Sequence, residues 1–93
     1  MNYTIFYPTP LSEILDIIND NIDVCVQADD GKCYTFVVTT PKNLDFLMKK
    51  DNLSCISPDF RFLTVTALTE SAIRAVIDAV MKKPALAEWY GED

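Results

Sequence analysis

The chain of 93 residues is 49% hydrophobic and 24% charged, with no histidine, three cysteines and a formal charge of −6; that is the composition of one small globular domain spanning 1–93. The acidic balance excludes a reader of the phosphate backbone, which needs a basic patch, and disfavours an anionic membrane surface. Without imidazole there is no Ser-His or Cys-His pair, and a zinc site would have only thiolates and carboxylates, so no catalytic residue, metal or cofactor is expected.

The opening MNYTIFYPTPLSEIL has no cationic n-region and is broken by Pro8 and Pro10, which is not the pattern of a signal peptide. The longest apolar runs fall far short of a membrane span. A cytoplasmic protein is expected, with Cys25, Cys33 and Cys55 as buried free thiols in a reducing compartment. An additional strand at Tyr3–Tyr7 is compatible with the pattern.

Thr9-Pro10 reads as a helix N-cap followed by N1. Leu11, Ile14, Leu15 and Ile18 then recur at i, i+3, i+4 and i+7, one apolar stripe. On that helix Glu13, Asp16 and Asp20 share the opposite face, and Ile17 lies at its margin.

Ile22–Ala28 and Cys33–Thr40 read as a hairpin around Asp29-Asp30-Gly31. A two-residue turn would set Val26 against Thr35 and Val24 against Val37. A three-residue loop, with Gly31 in the left-handed position, pairs Val26 with Tyr34, Val24 with Phe36 and Ile22 with Val38. The second gathers the large apolar side chains on one face and is preferred. It places Cys25 and Cys33 diagonally on the other face, a poor geometry for a disulfide. The Asp-Asp-Gly run lacks the alternating acids and closing Glu of a calcium loop, so it reads as a turn.

Thr40-Pro41 starts a second helix reaching about Asp51, with Leu44, Leu47 and Met48 as its buried stripe and Phe46 roughly opposite. Phe60–Leu68 reads as a strand with apolar residues at both parities, hence a central or two-sided one. Thr69 caps a third helix whose stripe is Ile73, Val76, Ile77 and Val80, closed by Lys82-Lys83 before Pro84. A short helix, Ala85–Tyr90, ends the chain. The order α-β-β-α-β-α predicts an α+β two-layer domain, a small and mainly antiparallel sheet of three to four strands with helices packed on it.

Residues 1–31 hold six acids and no Lys or Arg, whereas residues 32–93 hold eight of each sign. Glu13, Asp16, Asp20, Asp23, Asp29 and Asp30, with Ile17 as an apolar anchor, therefore form the expected surface for a basic protein partner. Phe46, Trp89 and Tyr90 are a second candidate: aromatics that either cover one another or form a patch for a protein interface or homodimer.

The runs Asp23-Val24-Cys25-Val26, Asp30-Gly31-Lys32-Cys33-Tyr34 and Thr40-Pro41-Lys42-Asn43-Leu44, with Leu47-Met48 and Thr69-Glu70, resemble small bacterial single-domain proteins of no assigned function. The likeness covers roughly residues 20–80. In size, acidity and lack of catalytic groups the chain is also similar in kind to immunity proteins of bacterial toxin systems, which block a cognate and often basic toxin domain. That resemblance implies a non-enzymatic antitoxin working through its acidic surface. The alternative is a homo-oligomeric structural or regulatory module.

Overall fold

Alternating hydrophobicity and one turn set the centre of the molecule. In the computed structural model, which describes residues 2–91, β2 (Asn21–Ala28) and β3 (Cys33–Thr39) form an antiparallel hairpin. Its register pairs Val26 with Tyr34, Val24 with Phe36 and Ile22 with Val38, as the three-residue loop requires. Ala28 N–H donates to the Lys32 carbonyl at 2.8 Å, and Gly31 has φ +90, a backbone conformation open mainly to glycine.

Around this hairpin the sheet has the order β1-β2-β3-β4. β1 (Tyr3–Phe6) pairs antiparallel with β2, so the N-terminal strand is present. β4 (Phe62–Thr64) pairs parallel with β3 after the crossover through α1 (Pro41–Lys50). The fold is thus an α+β two-layer domain, and its element order begins with a strand rather than with a helix. β4 is shorter than expected and lies at a sheet edge, so of the central and two-sided alternatives it is the two-sided one. Its apolar residues occur at both parities because Leu63 enters the core while Phe62 faces the opposite side with Val37, its register partner.

α2 (Glu70–Met81) and α3 (Pro84–Tyr90) cover one sheet face. Thr69 caps α2 by accepting the Ala72 N–H at 3.3 Å, and Ile73, Ile77 and Val80 are buried, with Val76 half-buried. They close over Val24, Val26, Phe36 and Val38. On α1 the stripe Leu44, Leu47 and Met48 is only half-buried, because this helix does not share the core of α2 and α3.

The first expected helix does not form. A single 3-10 turn, Leu11–Glu13, is followed by Ile14 in extended geometry, and Pro10 rather than Thr9 occupies the cap position. Leu11 and Ile14 reach the core, while Leu15 and Ile18 are exposed. The cause is local competition for the backbone. Asp16 Oδ1 takes the Ile18 N–H at 3.1 Å, and Asp20 Oδ1 takes the Asn21 N–H at 2.8 Å. Such side-chain bonds, together with the β-branched Ile14, Ile17 and Ile18, favour turns over helix. Thr40 Oγ1 then donates to the Ile18 carbonyl, and Leu68 N–H donates to the Ile17 carbonyl at 2.7 Å. The passage between β1 and β2 is thereby tied to the starts of α1 and α2.

Candidate functional site

Loss of the first helix disperses the acids. Glu13 is exposed on the 3-10 turn, and Asp16 and Asp20 follow it in the irregular passage entering β2. Asp29 and Asp30 sit at the hairpin tip beyond the other end of β2. The nine residue steps from Asp20 to Asp29 span about 30 Å at strand rise, against a longest molecular extent of 42 Å. The expected acidic face therefore resolves into two clusters at opposite ends of the sheet, with Asp23 apart from the hairpin tip in β2, opposite Val37.

Each cluster uses part of its charge on backbone. Asp30 Oδ1 accepts the Lys32 N–H at 3.0 Å and Asp29 Oδ2 accepts the Asn2 N–H at 3.3 Å. Ion pairing does not absorb the charge. The pairs among the described residues are Lys32–Glu88 at 3.7 Å and Lys49–Asp45 at 2.9 Å, both solvent-exposed and of small energetic weight. None of the six N-terminal acids takes part. Ile17 is 40% exposed beside the passage acids.

The aromatic candidates do not come together as a mutual cover. Phe46 is 47% and Trp89 54% exposed, while Tyr90 packs against the core. Trp89 instead receives the Arg61 guanidinium 3.9 Å from its ring centroid, and Arg61 donates to the Trp89 carbonyl at 3.1 Å. That stack fixes the C-terminal turn beside β4.

The thiols depart from expectation as well. All three are free, but Cys25 is only half-buried and Cys33 and Cys55 are exposed. Cys25 and Cys33 lie on the sheet face that α2 and α3 leave uncovered, so period-2 patterning alone could not assign them to the interior. Among the described residues no three His, Cys, Asp or Glu side chains gather as a metal site would require, and no helix is long and apolar enough to cross a membrane.

Comparison with protein-family models, curated proteins and solved structures finds no match. The resemblance to small bacterial domains rests on the quoted residues alone, and the likeness in kind to immunity proteins on size, acidity and the lack of catalytic groups.

One feature escaped the sequence reading. On the uncovered sheet face, Val37 and Phe62 border an open groove of about 440 Å³ with Leu47 of α1 and with Leu53, Ile56 and Phe60 of the loop before β4. The apolar residues at both parities of Phe60–Leu68 were its signal. Phe60 stacks on Phe62 with centroids 5.6 Å apart, yet remains 64% exposed.

Proposed function

We propose that this chain is a non-enzymatic protein-binding domain for a basic protein partner, most specifically an immunity or antitoxin protein that neutralises a basic toxin domain. The carrying observation is the set of six N-terminal carboxylates, none of them in an ion pair with a cation of the described chain. Their charge remains available to a partner, and complementary charge accelerates encounter and fixes orientation.

Affinity capture from the host's own lysate, washed at low and at high salt and read by mass spectrometry, tests the reading. A basic protein retained at low salt and weakened at high salt supports it. Recovery of the chain with only itself removes it in favour of an oligomeric module. With the captured partner in hand, Asp16→Lys with Asp20→Lys should slow association at least about tenfold at low salt and flatten its salt dependence. Unchanged kinetics would rule out the passage acids as the steering group.

A further inference from the structure

From the groove on the uncovered sheet face, we propose that this surface docks an amphipathic helix of another protein, with apolar side chains seated in the groove and Lys or Arg along the helix flanks. The proposal rests on the basic-partner reading above and gives that partner's contact a place and a chemistry.

Three observations carry it. First, the groove has an apolar floor and walls drawn from three separate parts of the chain: Val37 and Phe62 of the sheet, Leu47 of α1, and Leu53, Ile56 and Phe60 of the connecting loop. Leu53 and Phe60 remain 50% and 64% exposed, a poor arrangement for side chains of that size unless something covers them. Second, its volume of about 440 Å³ lies within the range of roughly 300–1,000 Å³ typical of ligand sites, room for a few large apolar side chains. A helix presents such anchors at i, i+4 and i+7 on one face.

Third, the charge at the rim selects the occupant. Asp23 and Asp51 border the groove, and Asp59 borders the adjoining cleft beside Trp89. None of the three is in an ion pair among the described residues. The one cation lining that cleft among the described residues, Arg61, is already stacked on Trp89 and bonded to its carbonyl. Carboxylates around an apolar floor match a helix whose flanks are cationic. A second copy of this chain fits less well, because it brings the same net charge of −6. Asp23 belongs to the acids singled out from the sequence, while Asp51 and Asp59 do not.

The test uses the full chain and a synthetic amphipathic helical peptide with Leu on one face and Lys along the flanks, beside a peptide of equal Leu spacing with Glu in place of Lys. Binding is followed by backbone amide shifts and by the fluorescence of Trp89, the sole tryptophan. The Lys peptide should bind, shift Val37, Leu47 and Phe62, and lose at least about tenfold in affinity in Leu53→Ser with Phe60→Ser, the cost of removing buried anchors. Both substituted positions are at least half exposed, so thermal unfolding should confirm that the variant folds. Asp23→Asn with Asp51→Asn should weaken the Lys peptide several-fold and reduce its salt dependence.

Binding insensitive to the Leu53 and Phe60 changes, or shifts confined to residues 13–20 and 29–30, would overturn the groove while leaving the basic-partner reading intact. Equal binding of the Glu peptide would overturn the groove proposal, whose choice of occupant rests on the rim charge, and would leave the basic-partner reading to the capture experiment. Absence of any binding by the Lys peptide would overturn the groove proposal. A concentration-dependent dimer, dispersed by the Leu53 and Phe60 changes, would give the groove to a second copy instead.

Discussion

The Asn43 carboxamide accepts from Asn21 Nδ2 at 2.9 Å and Thr39 Oγ1 at 3.1 Å, and donates to Asn19 Oδ1 at 3.1 Å. Asn43 is 5% and Thr39 0% exposed, so truncating Asn43 strands polar groups away from water. Asn43→Ala should destabilise by about 2–3 kcal/mol, lowering Tm on the order of 10 °C for a domain of this size; urea and thermal unfolding provide the measurement, and a loss below about 0.5 kcal/mol would mean water replaces the amide. Nothing in the sequence marks this residue. It reads as one more polar position on a first turn, and two of its partners lie 22 and 24 residues away. Tyr7 has the opposite character: its hydroxyl is buried without a partner among the described residues. Burial first, then the Glu70 charge, raise the Tyr7 pKa above 10.0, with Arg74 partly opposing. Tyr7→Phe should therefore leave stability at neutral pH unchanged or raise it. The sign at high pH follows from linkage: the unfolded chain ionises near pH 10, before the folded one, so stability is intact below that point and falls as pH rises towards the higher folded pKa. The variant should show a shallower alkaline decline in urea titrations at pH 8 and pH 11, and an equally steep one would place the effect on other groups.

At the scale of elements, the hairpin was legible and the first helix was not, for reasons of the same kind. In the hairpin, period-2 alternation and a glycine at the turn agree, and a slip by one residue would send Val24, Val26 and Phe36 to the uncovered face. A Cβ at Gly31 would meet no atom within 4 Å, so the requirement there is purely torsional. Gly31→Ala should cost about 1–2 kcal/mol and Gly31→Asn distinctly less, since Asn tolerates left-handed backbone; equal losses for the two in chemical denaturation would contradict that account. For residues 11–18 the helical spacing was real, but the core takes only Leu11 and Ile14, and the Asx turn at Asp16 redirects the backbone before a second turn can form. Periodicity reports which arrangement would bury a stripe, not whether a covering surface exists. The same limit applies to α1, whose stripe is half-buried beside the open groove; for β4 the pattern fitted a central or a two-sided strand alike, and the structure has the two-sided one, with the groove on its second side.

At the scale of the molecule, the sequence reveals an excess of charge but not where it lies. The imbalance over residues 1–31 could be counted directly; the separation into two ends depends on the eight-residue length of β2 and on the fate of residues 14–20. Long-range steering depends on the summed field and tolerates that dispersal, whereas short-range contacts must be made at one place. The two sheet faces divide along this line. One is closed by α2 and α3 around the core, and the other leaves Phe60, Leu53 and Cys33 in contact with solvent.

The passage joining β1 to β2 also bears on how the chain can be handled. Leu15 is fully exposed at 102%, while β1 is held to β2 by four register pairs and by the Asp29 N–H bond to the Asn2 carbonyl. The N-terminal strand is thus held by its pairing to β2 in addition to the anchored passage that follows it. The peptide bonds around Leu15 are the exposed stretch of this passage, the kind of place where proteolytic nicking and tolerated insertions concentrate.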